Sequence, residues 1–459
     1  MQLPISTNIF PEKTDVYVVG GSVRDLLCGR KPLDYDLAVG HDTELFARRL
    51  AGKTSGHVVE LGKLGYKMTR VVTRDHFFDI TPISGDDIFS DLANRDFTIN
   101  AMAMEVATGS LIDPLGGQKD LKAGTVRMVS REVFRRDPLR LIRAYRMASV
   151  LDFRIDADTA TAIAADAGFI RQTAGERIRE ELFKILHSAR SHVHLSQMAK
   201  SGLLFGIFPE LAGLDQLRLY PDDPRTVFAQ TLDAYDQLEK LLDPDGDFRR
   251  TTGLPFKDAD GSRSVLLKWS LLFHDLGLGS TTQTPVKGLQ SNCSALADDS
   301  AAMAQKICNR LRFSRRQADS IAFIVAHHFR PYVLFRDYRN NEDLGKGFIR
   351  LFLLCRGMTP DVLIHALATY TAQNDSNPAQ SRQFEEFIHP LIGQYYTVLR
   401  PRASLPPPIS GQDLIDEFGM KPSKQFRHIL TQVEEQRLTK ESYSRDEALG
   451  FVRELLNQK

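Results

Sequence analysis

Residues 15–39 read DVYVVGGSVRDLLCGRKPLDYDLAV, and the fold follows from how this stretch is divided. Val16, Tyr17, Val18 and Val19 form a short β-branched and aromatic run, as expected of a strand. It stops at Gly20-Gly21-Ser22, and a helix is expected from Val23. A second extended run, Asp34 to Val39, follows a proline-containing turn. Side chains alternate across a strand, so Asp34, Asp36 and Ala38 share one face, while Tyr35, Leu37 and Val39 share the other and can enter a core. Two carboxylates at i and i+2 stand roughly 6.6 Å apart at Cα. That spacing suits hard divalent cations, which take one or two protein carboxylates together with substrate phosphates. A glycine turn that opens a helix presents backbone N–H groups to such phosphates.

Taken singly, a Gly-Gly turn is a turn and an Asp-x-Asp pair is a solvated strand face. Together, GGSVRD followed by DYD resembles the signature of the nucleotidyltransferase superfamily, and more narrowly that of the class II tRNA nucleotidyltransferase and bacterial poly(A) polymerase family. The resemblance implies an α+β nucleotidyltransferase head with a mixed sheet, then an all-helical neck, body and tail. Its metal ligands would be Asp34 and Asp36, its cofactor Mg²⁺, and its phosphate-binding turn Gly20, Gly21 and Arg24.

The totals agree with such a protein. A chain of 459 residues has room for about three domains and a large core. With 25% charged and 42% hydrophobic residues, the composition is ordinary globular. The formal net charge is +1, so any nucleic-acid surface must be a local basic patch. Cys28, Cys293, Cys308 and Cys355 show no CxxC spacing and read as reduced thiols, without a disulfide frame or zinc site. The N-terminus has no apolar signal segment, and no apolar run reaches the roughly 18 residues of a membrane span. A soluble, cytoplasmic protein is expected.

Further along, helix is expected over 43–50 and strands over 57–61, 66–73 and 77–80. The last carries Asp79, which reads either as a third carboxylate facing the metal pair or as a strand-end residue. The segment 94–103, NRDFTINAMA, resembles the family's RRDFTINAMA motif, with Asn94 in place of the first arginine. There Arg95 would clamp a triphosphate, Asp96 would fix the direction of that arginine, and Asn100 would reach a ribose hydroxyl.

A single helix is expected over 131–150. Its Arg140, Arg143 and Arg146 recur every third residue beside an apolar stripe of Leu139, Ile142 and Tyr145. The segment resembles the family motif EDPLRxLRAxRFA, with Arg136 where the family has glutamate. Asp137 and Arg140 would read the Watson–Crick edge of the incoming base, and Arg143 and Arg146 would contact phosphates. Asp137 before Pro138 is equally a helix cap. Glu176 to Leu182 resembles the ERxxxEL neck motif, a helix with internal ion pairs.

Residues from about 220 to 395 read as all-helical. His274-Asp275 resembles the HD core of metal phosphohydrolases, but Gln230 stands where an upstream histidine is expected, and His327 or His328 supplies one further ligand. A degenerate HD fold follows. A proline-rich linker after Pro401 precedes three short helices. The domains expected are a catalytic head at 1–130, a neck with the nucleotide-template helix at 131–220, an HD-like body at 221–398 and a tail at 399–459.

The function implied is addition of C and/or A residues of the CCA terminus to the tRNA 3′ end from CTP and ATP, by two-metal nucleotidyl transfer. Residues 62–70 lack the strand pattern of the family's poly(A) polymerases. The short span from Thr81 to Asn94 resembles that of members restricted to two cytidines. The other readings are poly(A) addition, an HD-type phosphohydrolase, and a non-catalytic RNA-binding protein. Unpaired Asp34 and Asp36 would repel RNA unless a metal neutralised them, which weighs against the last.

Overall fold

The computed structural model describes residues 3–40, 42–61, 68–219, 223–252, 262–280, 289–440 and 442–457. The chain forms two compact units, Met1–Ile207 and Phe208–Lys459, taken here one at a time.

The first unit is built on a seven-stranded sheet. Its elements begin with β1 (Val16–Val19), α1 (Gly21–Leu27), β2 (Asp34–Val39), α2 (Thr43–Thr54), β3 (His57–Leu61), β4 (Met68–Val72), β5 (Phe77–Pro82) and α3 (Ile88–Ala93). A 3₁₀ turn at Thr98–Asn100 leads to β6 (Ala103–Glu105) and β7 (Leu111–Ile112). The strand order is β3-β4-β5-β2-β1-β6-β7. Only β2 and β5 run parallel, and every other pair is antiparallel. On one face, Tyr35, Leu37 and Val39 pack with Val71, Phe78 and Ile80 under Phe46 and Leu50 of α2. On the other, Ala38, Val19, Ala101 and Ala103 are covered by Ile88 and Leu92 of α3. The alternation expected of β2 therefore holds, with its apolar residues in the core and Asp34 exposed at the strand start. The expected strand start at Tyr66 lies outside the described residues.

The rest of this unit is helical apart from the short strands β8 (Thr125–Val126) and β9 (Arg154–Ile155), and comprises α4 (Gly117–Lys122), α5 (Glu132–Arg136), α6 (Leu139–Leu151), α7 (Ala157–Asp166), α8 (Gly175–Leu186), α9 (Ser191–Lys200) and α10 (Leu203–Ile207). The single helix expected over 131–150 is broken. Asp137 is extended, with φ −143° and ψ 97°, because the Pro138 ring excludes helical backbone from the residue before it. Asp137 Oδ1 then accepts the Leu139 N–H at 3.2 Å and caps α6.

All regular structure described in the second unit is helical, from Val227–Leu242 through Pro378–Gln394, and the tail adds Gly411–Phe418, Lys424–Thr439 and Arg445–Asn457 around a small core of Leu414, Ile429, Val433 and Val452. One stretch among the described residues, Leu344–Gln373, is long and apolar enough to cross a membrane, and 72% of its most apolar window is buried inside the protein. The cysteines Cys28, Cys308 and Cys355 are free thiols.

Candidate active site

The site forms where β1 ends. Gly20 takes φ +66°, a conformation that disfavours a side chain. A Cβ there would stand 2.7 Å from Arg95 Nη1 and 3.5 Å from Asp36 Oδ2. A Cβ on Gly21 would stand 3.5 Å from Arg24 Nη2 and 3.8 Å from Asp36 Oδ2. The turn is thus pressed against one carboxylate and two guanidinium groups. Ser22, which sequence reading passed over, joins the turn to β2: its hydroxyl donates to the Asp34 carbonyl at 3.0 Å and accepts the Asp36 N–H at 2.9 Å. The third residue of the GGS turn thereby fixes the backbone that carries both aspartates.

Asp36 and Asp79 are register partners on the parallel strands β2 and β5, and Arg70 is the partner of Asp79 on β4. Arg70 donates to both oxygens of Asp79, at 2.6 and 2.7 Å. Burial pushes the Asp36 carboxyl up to about 6; Arg95 opposes this, while Asp79 and Asp34 add to it. Buried hard oxygens whose ionised form is only partly compensated are a donor set that a divalent cation satisfies. Asp34 and Asp36 fit such an ion as a pair to be completed by substrate phosphates. They do not form a closed cage, since among the described residues no cluster of three or more His, Cys, Asp or Glu is disposed to hold a metal.

The arginines are held by partners that the sequence did not assign. Asp96 was expected to orient Arg95. Instead Asp91, on α3, accepts Arg95 Nε and Nη2 at 3.0 and 2.9 Å while its other oxygen accepts the Ser84 N–H. One helical turn separates 91 from 95, whereas neighbouring residues 95 and 96 point apart. Asp96 binds Arg143 at 2.9 and 2.6 Å and the Asn100 amide at 3.0 Å. Burial would raise the Asp96 carboxyl, but Arg143, Asn100 and Arg140 together hold it below the usual range. Asn100 is buried, and its other amide atom accepts from Arg24 at 2.7 Å. It bridges Arg24 to Asp96.

Arg143 and Arg146 are partly buried and paired with carboxylates. Arg146 pairs with buried Glu181 of α8 at 2.5 Å, and Arg143 approaches the same carboxylate at 3.8 Å. The neck helix therefore directs its ion pairs chiefly outward: Glu181 to α6, and Arg177 to Asp137 at 2.9 Å. Its internal pair is Glu181 with Lys184. Arg140 donates to the Arg95 carbonyl at 3.5 Å, and Arg136 donates to Asn94 Oδ1 at 2.5 Å. Gly20, Gly21, Arg24, Asp36, Arg95, Asp96, Asn100 and Arg143 thus lie in one connected network. Asp34 is on its open edge, Asp137 and Arg140 on its α6 side, and Arg146 behind it.

In the second unit, His274 donates to the Leu271 carbonyl at 2.8 Å and pairs with Asp275 at 3.0 Å. The rings of His328 and His365 lie 5.2 and 5.4 Å from that of His274. His365 was missed because it lies on a distant helix with no motif around it. Burial pushes His328 down to about 4. Gln230 turns away to Asp223, donating at 3.1 Å. A cavity of about 720 Å³ opens over His274, Asp275 and His328.

Comparison with known proteins places these features. Residues 16–127 match the family model described as "Poly A polymerase head domain", and 152–214 match "Probable RNA and SrmB- binding site of polymerase A". An A-adding tRNA nucleotidyltransferase of Deinococcus radiodurans is 30% identical over 446 residues, covering 95% of this chain and 94% of that one. A CC-adding tRNA nucleotidyltransferase of Geobacter sulfurreducens is 39% identical over 193 residues, a match that spans 42% of this chain and 45% of that relative. Among solved structures, the Thermotoga maritima CCA-adding enzyme in complex with tRNA shares the fold, with TM-score 0.65 at 23% identity over 96% of this chain and 91% of that one.

Proposed function

Since this chain belongs to the class II tRNA nucleotidyltransferase family, we propose that it adds C and/or A residues of the CCA terminus to the tRNA 3′ end, from CTP and ATP and without a nucleic-acid template. The observation that carries this reading is Asp36 beneath the Gly20–Gly21 turn, between Arg24 and Arg95. In the reaction a tRNA 3′-hydroxyl oxygen bonds to the α-phosphorus of the nucleotide, the bond to the β-phosphate oxygen breaks, and pyrophosphate leaves. Asp34 and Asp36 would hold Mg²⁺, which when bound lowers the charge cost at the attacking and leaving oxygens. Arg95, aimed by Asp91, and Arg24, aimed by Asn100, face the triphosphate. Asp137 and Arg140 face the base, and Arg143 keeps α6 against the 94–100 segment through Asp96.

Which nucleotides are added turns on the segment between β5 and α3. Ile88 and Leu92 are buried against the sheet, and Asp91 ties Ser84 to Arg95. A segment anchored at these points has little slack with which to reshape the base pocket, which supports preferential addition of the two cytidines. Extension of tRNA lacking its 3′ terminus, with Mg²⁺ and CTP alone, ATP alone or both, tests both levels. Products two nucleotides longer with CTP, and poor ATP addition to tRNA ending in CC, are expected. No extension under any condition would overturn the assignment; comparable CTP and ATP rates would overturn the restriction to CC.

The body is proposed to serve structure or RNA binding, in keeping with Gln230, which stands where an upstream histidine is expected and donates to Asp223. The free thiols suit the reducing cytoplasm.

A further inference from the structure

Two residues of this chain depart from the motifs they otherwise resemble: Asn94 replaces an arginine, and Arg136 replaces a glutamate. The structure makes them partners, with Arg136 Nη1 donating to Asn94 Oδ1. The motif pattern has its donor at the first position and its acceptor at the second. Here the acceptor stands at the first position and the donor at the second.

The place of this contact gives it consequence. Asn94 closes the C-terminus of α3, and its amide nitrogen is committed to the Ser90 carbonyl at 2.9 Å, which turns the amide oxygen toward Arg136. Arg136 is the last residue of α5 and is followed directly by Asp137, whose extended backbone forms the break before α6. The next two residues continue the series: the Arg95 carbonyl meets Arg140, and Asp96 meets Arg143. Asn94, Arg95 and Asp96 thus line up against Arg136, Arg140 and Arg143. One strip carries the arginine that faces phosphates; the other carries the residues that face the base. The Asn94–Arg136 contact closes the end of this ladder nearest Asp137. On its other side Asp137 is held by Arg177.

We propose that the Asn94–Arg136 contact is a positioning clasp that sets the distance of Asp137 and Arg140 from the phosphate-binding strip, and so sets discrimination between cytosine and adenine. This rests on the nucleotidyl-transfer reading above. Arg136 and Asn94 act through Asp137 and Arg140, without touching the reacting atoms.

The test is the ratio of kcat/KM for CTP to that for ATP, together with the dissociation constants of both nucleotides without tRNA, in the full-length protein. Arg136→Ala and Asn94→Ala are each expected to change the ratio by about tenfold, the effect of one charge-assisted hydrogen bond. The KM for tRNA and the thermal midpoint should stay close to those of the parent. Asn94→Asp, which keeps the acceptor for Arg136 but loses the bond to the Ser90 carbonyl, should retain discrimination closer to the parent than Asn94→Ala does. The exchange Asn94→Arg with Arg136→Glu should lie closer to the parent than either single change. An unchanged ratio in both alanine variants, or a double exchange equal to the sum of its singles, would overturn the clasp. An altered thermal midpoint with an unchanged ratio would reduce it to a stabilising contact and overturn it as well. A parent protein that adds no nucleotide would remove the nucleotidyl-transfer reading itself, an outcome distinct from both.

Discussion

Asp36 and Asp79 stand side by side on parallel strands, and Asp79 is chelated through both of its oxygens by Arg70, whereas Arg95 and Arg24 only lie near Asp36. Two carboxylates in one row therefore meet different fates: one is neutralised by its own sheet, and the other is left to pay a burial cost until a ligand arrives.

Asp36→Asn should remove that cost. With its carboxyl raised to about 6, Asp36 is still mostly ionised at neutral pH and carries its burial penalty there, so the amide is expected to stabilise the metal-free protein by up to about 3 kcal/mol. Nucleotide incorporation should be lost in the same variant. Thermal melts in chelator and incorporation assays check the two halves; a variant that is destabilised, or still active, contradicts them.

Asp79→Asn should cost less activity than Asp36→Asn. A carboxylate already chelated by Arg70 has to be released before it can serve an incoming cation. The expected pattern is a measurable residual kcat/KM for Asp79→Asn and none for Asp36→Asn. Equal losses would show that Asp79 leaves Arg70 during turnover.

Asp91→Asn should raise the KM for nucleotide by about tenfold, because Arg95 loses its charged anchor and must be ordered by the ligand instead. Asp91 is buried, so a stability loss of about 1–3 kcal/mol is expected beside it. Isothermal titration with CTP separates the two effects, and unchanged affinity would dismiss Asp91 as a positioning group.

His328 should make the second unit acid-sensitive. Burial, with His274 adding to it, holds its folded-state value at about 4 against an ordinary 6.5. On acidification the unfolded chain takes up this proton first, so stability falls as pH drops from about 6.5 to about 4, by at most about 3 kcal/mol. His328→Gln should flatten that part of the stability–pH curve. Parallel curves for parent and variant would show that His328 is not buried in the neutral form.

The strand pattern of β2, the glycine turn and the residue types around it were legible because each follows from local rules: alternation, a positive φ, and an arginine near phosphates. The break at Asp137 was equally written in Pro138, although the apolar and basic periodicity through 131–150 masked it. The partners of the arginines could not be read. Asp91 lies outside the motif that contains Arg95, and Glu181 lies far along the chain from Arg146; both pairings depend on how α3 and α8 pack. Ser22 was hidden for the opposite reason, being a small polar residue in a turn, where its type alone signals nothing.

The occupied arginines set the terms on which a polyphosphate can enter. Arg24 and Arg95 each already face a carboxylate of the protein. A nucleotide therefore arrives as a competing anion, and what it gains is the difference between two partners and not a full Coulombic attraction. Such exchange releases few bulk counterions, so nucleotide affinity in this cleft should vary only weakly with ionic strength, unlike capture by bare surface arginines.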